Sequence, residues 1–313
     1  MPDPLNLSVN TGAGSKDQDA CSSRYLFYSA AAEGETVMDK DEIRRLIAKA
    51  VSDVRAACPM AGSVTNSVTI NFVANAQLAV GGSAAMVYLP DEAEALAKLG
   101  GAFYINVGTL LPIYEETLPL AAKTLFENKK PWVLDPVAVG LGALRTKLLL
   151  EFRKYKPSII RGNASEIIAL AGLWGLVDRS ESKVRGVDST EGVNDARSAA
   201  VATARFTGGA VAVSGETDLV TDGKVVAFSH GGSPMMTCVT GSGCALGGVM
   251  AVYAACASPF IAALTGTAVF NFCGARVADK AEGSGSFQTI FIDELYNADP
   301  EDPANNPFEI EEA

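Results

Sequence analysis

Histidine is almost missing from this chain of 313 residues; His230 is the only one. Its six cysteines (Cys21, Cys58, Cys238, Cys244, Cys256 and Cys273) form no C-x-x-C pair. Together these scarcities argue against a zinc site, and the uneven cysteine spacing argues against a disulfide framework. Reduced thiols and a cytoplasmic location are the simplest expectation. No basic stripe is present, so neither nucleic acid nor an anionic membrane is expected as a partner. No apolar run approaches the roughly 18–20 residues that span a bilayer. The longest, CALGGVMAVYAACA, is rich in small residues and reads as a buried core helix. The first 38 residues lack a basic, signal-like start, since Asp17 and Asp19 precede their one apolar patch, YLFYSAAA.

Hydrophobic residues are plentiful, at 48%, which marks a globular chain. The net charge of −11 is concentrated at one end. From Asp293 onward there are eight acidic residues and no basic one, which leaves −3 for everything before. Residues 1–38 are therefore expected as a flexible extension, 39–298 as one domain and 299–313 as an acidic tail.

Within 39–298 the pattern alternates between strands and helices. DEIRRLIAKAVSDVRAA sets Ile43, Ile47, Val51 and Val54 at helical spacing. AAMVY, AFYIN, PWVLD, PSIIRGN and AVAVSG are apolar runs of strand length, with helical stretches between them. DLVTDGKVVAF reads as a hairpin turning at Asp222-Gly223. Two or three helices close the domain. This order predicts an α/β fold of three layers, with a mainly parallel sheet and helices on both faces. Ligands then bind beyond the carboxyl ends of the strands, near Asp135, Arg161–Asn163, Ser214–Glu216 and the Gly241 turn.

Four motifs fall at that rim. In VTGSGCALGG, Gly241 and Gly243 free the backbone N–H groups of a turn that opens a helix, a cradle suited to phosphoryl oxygens. The same residues also suit a plain turn before a closely packed helix. Cys244 is either a small buried hydrophobe or a thiol whose pKa the helix N-terminus lowers. NASE allows Asn163 and Glu166 to form a capping box, or Glu166 to face a hydrated magnesium ion, with Arg161 beside it for phosphate. Asp135 in LDPV is a second carboxylate at a strand end, or a turn starter. SGETD is a phosphate loop or a surface turn, whereas Arg145 and Lys147 read as solvated.

In this order the motifs resemble the hydroxyethylthiazole kinases of the ribokinase-like family. The matching stretches include SVTNSVTINFVANAQLAVGGSAAM, GGAFYINVGTL, WVLDPVAVGLGALRT, IIRGNASEI, GVDS, VAVSGETDLVTDG, MTCVTGSGCAL and GSGSFQTIFIDELY, across about 40–298. The resemblance implies a ribokinase-like fold and phosphorylation of the primary alcohol of 4-methyl-5-(2-hydroxyethyl)thiazole by ATP with Mg2+, a thiamine salvage step. It implies that Asn66, Val68 and Met86 line the thiazole pocket, with Gly241 near the hydroxyl. Arg161, Ser214, Thr240 and Gly243 would take ATP, Asp135 and Glu166 the metal, and Cys244 the place of the base. It further implies a homotrimer with sites between subunits. One departure stands out: where the family usually has a histidine four residues before the pocket asparagine, this chain has Gly62. Kinases for related heterocyclic alcohols, a hydrate dehydratase of the same fold and a silent nucleotide-binding oligomer are the competing readings.

Overall fold

The structure, a computed structural model, describes residues 38–177 and 196–313. Cys21, the GVDS motif and all but the last residue of the expected extension lie outside them. Helix α1 (Lys40–Ala57) starts where the Asp39 carboxylate accepts the Glu42 N–H at 2.7 Å, and it buries Ile43, Ile47, Val51 and Val54. The elements that follow are β1 (Met60–Val64), α2 (Ile70–Ala79), β2 (Ser83–Met86), α3 (Pro90–Leu99), β3 (Ala102–Asn106), α4 (Tyr114–Glu127), β4 (Trp132–Asp135), α5 (Ala143–Phe152), β5 (Ile159–Asn163) and α6 (Ala164–Trp174). After the undescribed residues come α7 (Arg197–Thr207), β6 (Ala210–Ser214), β7 (Asp218–Thr221), β8 (Val225–Ser229), α8 (Ser242–Ala254), α9 (Pro259–Ala278), α10 (Ser284–Asn297), α11 (Glu301–Ala304) and β9 (Phe308–Glu312).

The nine strands form one sheet in the order β2-β1-β3-β4-β5-β6-β7-β8-β9. The first six strands pair in parallel, and β7, β8 and β9 continue antiparallel. Alternation along the strands separates two cores. Tyr104 and Val133 face the layer of α1, α2, α8, α9 and α10, while Phe103, Ile105, Trp132 and Leu134 face α3 to α7. The three-layer expectation holds. Helix α9 is long and apolar enough to cross a bilayer, yet 83% of its apolar window is buried inside the fold. Because β2 and β3 lie on opposite sides of β1, the strand order reverses there. Such a switch point leaves a crevice at the strand ends.

Strand β1 and the C-terminal segment escape the sequence reading. Strand β1, MAGSV, has few strand-forming side chains; its Gly62 is imposed by Phe103 on the next strand, whose ring carbons would lie 2.7 Å from an added Cβ. The expected acidic tail is not a tail. Residues 308–312 pair with β8 from Phe308↔Ser229 to Glu312↔Val225, so the boundary expected at 298 is replaced by one unit that runs from Met38 to Ala313.

Candidate active site

At the crevice, three segments meet at the sulfur of Cys244. Helix α8 begins at Gly241, whose φ of +90° is the left-handed conformation that favours glycine, and Cys244 sits in its first turn. The loop after β1 brings Asn66, and the end of β3 brings Asn106. The Asn66 and Asn106 amides approach Sγ at 3.3 and 3.2 Å, each with Nδ2 as donor. Asn66 is itself held, donating to Asn106 Oδ1 at 3.1 Å and accepting the Thr69 N–H at 3.1 Å. Donors aimed at sulfur favour its charged form. The helix-terminus expectation of a lowered thiol pKa is nevertheless overturned: burial, reinforced by the negative Asp135, pushes the Cys244 thiol up, and Thr69, Arg161 and Asn66 only hold that rise back.

Behind the thiol lies Asp135, fully buried at the end of β4. Its Oδ2 accepts from Tyr104 Oη and Asn106 Nδ2, both at 2.9 Å, and stands 3.8 Å from the Arg161 guanidinium. Burial is the largest influence and raises the Asp135 carboxyl to about 7, with Arg161 opposing and Glu166 assisting. Arg161, on β5, donates to the Ser214 hydroxyl at the end of β6 at 2.9 Å. The guanidinium occupies the space where a Gly243 side chain would stand, so a side chain here would displace Arg161. Arg161, Asp135, Ser214, Gly243 and Cys244 thus form one cluster, as the strand-end rule anticipates.

Glu166 satisfies the capping reading in full. The Asn163 side chain accepts the Glu166 N–H at 2.9 Å, and Glu166 Oε2 accepts the Asn163 N–H at 2.9 Å. Its Oε1 faces the Ala138 N–H at 3.3 Å, where Ala138 holds a left-handed φ of +59°. Both oxygens are therefore engaged, whereas Asp135 Oδ1 is buried without a partner. Among the described residues no group of three or more His, Cys, Asp or Glu side chains could cage a metal. One free carboxylate oxygen beside a second carboxylate fits a cation that keeps water and takes phosphate oxygens, as Mg2+ does.

The remaining expected residues are peripheral. Val68 is 64% exposed, Met86 is half-buried at the end of the edge strand β2, and Thr240 is exposed. Gly62 faces Phe103 and Leu96 in the opposite layer, so its position is turned away from the sulfur. Arg145 is only partly solvated: it donates to Val107 O at 3.0 Å and Gly108 O at 2.6 Å, bracing the loop after β3. Lys147 is exposed and pairs with Glu115 at 2.7 Å. Sequence reading missed Tyr104, Asn106 and Thr69. In AFYIN the period of two puts Tyr104 and Asn106 on one face of a buried strand, a signal that polar groups there have a task.

The architecture is that of the ribokinase-like kinases. The chain superimposes on a pyridoxal kinase from Staphylococcus aureus in complex with ADP at a TM-score of 0.56 and 14% identity, over 82% of this chain and all of the other, a likeness of fold alone. It superimposes on a hydroxyethylthiazole kinase protein from Pyrococcus horikoshii OT3 at 0.76 with 29% identity, over 86% and 99%. Residues 51–301 match the model of the hydroxyethylthiazole kinase family. A hydroxyethylthiazole kinase from Bifidobacterium longum subsp. infantis is 49% identical over 298 residues, 89% of this chain and 95% of the relative. One from Leptospira interrogans is 42% identical, over 83% and 96%. This chain belongs to the hydroxyethylthiazole kinase family.

Proposed function

We propose that the protein transfers the γ-phosphoryl group of ATP to the primary alcohol of 4-methyl-5-(2-hydroxyethyl)thiazole, with Mg2+ required, in thiamine salvage. The observation that carries this reading is the Cys244 sulfur, fixed by Asn66 and Asn106 in the first turn of α8 and beside the Arg161–Asp135 pair. In this reading the substrate hydroxyl lies between Gly241 and Cys244. As a thiolate, the sulfur takes its proton while the bond from the alcohol oxygen to the γ-phosphorus forms and the bond from that phosphorus to the leaving ADP oxygen breaks. The raised pKa makes the thiolate a scarcer but more basic proton acceptor, and a loose phosphoryl-transfer transition state asks little of its base. The amides of Asn66 and Asn106 keep the sulfur in place while it does so.

The first-turn N–H groups of α8, which helix geometry leaves without intrahelical partners, face the phosphoryl oxygens. Arg161, steadied by Ser214, neutralises the phosphates, and Thr240 and Gly243 flank the same turn. Asp135 Oδ1 and the Glu166 carboxylate would hold the metal, which when bound offsets phosphate charge. Val68 and Met86 line the thiazole side; their exposure in one chain fits a pocket completed by a second subunit of a homotrimer. A cytoplasmic setting fits Cys58, Cys238, Cys244 and Cys273, which stand as free thiols.

The test is turnover of a panel of small heterocyclic alcohols with ATP, with and without Mg2+, by wild type and Cys244→Ser. The thiazole alcohol should be the best substrate, and the variant's kcat should fall by about 10²–10⁴, the range for loss of a general base. Turnover of a different alcohol in preference, or an undiminished Cys244→Ser, would overturn the substrate or the base assignment respectively.

A further inference from the structure

The loop joining β6 to β7, residues 215–217, follows Ser214 and so adjoins the group that steadies Arg161. A continuous line of buried polar side chains holds it from the C-terminal end of the chain. The Gly215 N–H donates to Asp218 Oδ1 at 3.0 Å, and Asn271 Nδ2, from α9, donates to Asp218 Oδ2 at 2.9 Å. The same Asn271 amide donates to Ser229 Oγ at 3.1 Å. Asn306 Nδ2 meets that hydroxyl from the other side at 3.1 Å and gives its second hydrogen to His230 O at 2.9 Å.

Both amides thus use both hydrogens, and Ser229 Oγ accepts from each. Ser229, Asn271 and Asn306 are 1%, 6% and 4% exposed, so water does not substitute for these partners. A second tie runs parallel: Thr217 Oγ1 lies 3.5 Å from His230 Nδ1, and the His230 N–H donates to Pro307 O at 3.0 Å. Asn306 and Pro307 lie beyond residue 301, where the match to the family model ends.

Buried, saturated networks fix register more than they add net stability, because each member left unpaired is penalised. We propose that Asn306, Ser229 and Asn271 are positioning residues that set the 215–217 loop for the phosphates of the nucleotide, making the C-terminal segment part of the nucleotide site. The inference rests on the reading of Arg161 and Ser214 as nucleotide-facing.

Three quantities on the full chain test it, for wild type, Asn306→Ala and the nearly isosteric Ser229→Ala. These are amide hydrogen exchange of 215–217 without ligand, the Kd for ATP by calorimetry, and kcat with KM for the alcohol at saturating ATP. Both variants should exchange faster in 215–217 and bind ATP about 3–10-fold more weakly, because each loses two of the buried hydrogen bonds that hold the loop in place. Their kcat and alcohol KM should stay at wild-type values. Unchanged exchange and ATP affinity in a variant that merely unfolds at lower temperature would assign these residues to fold stability alone and overturn the proposal. If the wild type itself bound no ATP, the nucleotide reading would fall first.

Discussion

Asp135 carries a conflict between its burial and the partners that favour its charge. Its carboxyl is raised to about 7 because burial disfavours the charge more strongly than Arg161, Tyr104 and Asn106 favour it. A carboxyl whose folded pKa lies above its usual value near ~3.9 binds its proton more tightly when folded. The stability this confers is complete at low pH and is lost as pH rises from the usual carboxylate range through about 7. Asp135→Asn stays neutral throughout. In nucleotide-free protein the variant should unfold at least about 3 °C higher than wild type at pH 8, with the gap closing towards pH 4, as thermal scans will show. A wild-type advantage at pH 8 would mean that the 3.8 Å pairing with Arg161 outweighs the burial.

At the scale of the element, α8 separates two kinds of glycine. Gly241 has a left-handed φ and an added Cβ would fall 2.6 Å from Thr69, so it is required by the backbone. Gly243 has ordinary helical geometry but is overlaid by the Arg161 guanidinium, the far end of a flexible side chain that can move aside. Gly243→Ala should therefore leave the unfolding temperature within about 2 °C of wild type, since alanine is the better helix former. It should raise the KM for ATP at least about tenfold, the scale of a displaced charge-assisted hydrogen bond. Steady-state kinetics and a thermal scan on one variant check both halves. A normal ATP KM would show that Arg161 does not serve the nucleotide.

For the whole molecule, the decisive feature is the way the sheet ends. Strand β8 would be an open edge of mostly buried residues, VVAFS, without β9 beside it. Natural edges are blunted by charge or covered, and β9 does both: Phe308 is buried, Glu309, Glu311 and Glu312 are exposed, and Arg197 clasps Glu311 at 2.7 Å. Removal of residues 306–313 should lower the unfolding temperature by at least about 5 °C and promote association through the bared β8 edge, measured by calorimetry and light scattering. A truncated chain that stays monodisperse and as stable as wild type would show β9 to be an ornament of the sheet.

Much of this molecule is written locally. The capping box at Asn163 and Glu166, the Asp222-Gly223 turn, the helical spacing from Ile43 to Val54 and the glycine turn before Cys244 each depend on residues a few positions apart, and each is legible in the chain. What the sequence does not display depends on neighbours far away in it. MAGSV is a strand because β2 and β3 pair with it on both sides, while Phe103 leaves no room for a side chain at Gly62, and FEIEE is a strand because β8 offers it hydrogen bonds from far away in the chain. The acid-rich composition of the latter conceals a period of two, Phe308 and Ile310 inward and glutamates outward. The thiol shows the division most sharply. The helix terminus visible in the sequence argues for a lower pKa, while burial beside Asp135, which only the packing of β3, β4 and α8 creates, moves it the other way. Local hydrogen-bonding chemistry was settled by the sequence; desolvation and long-range pairing were settled by the tertiary structure, because both depend on which distant surfaces exclude water from each other.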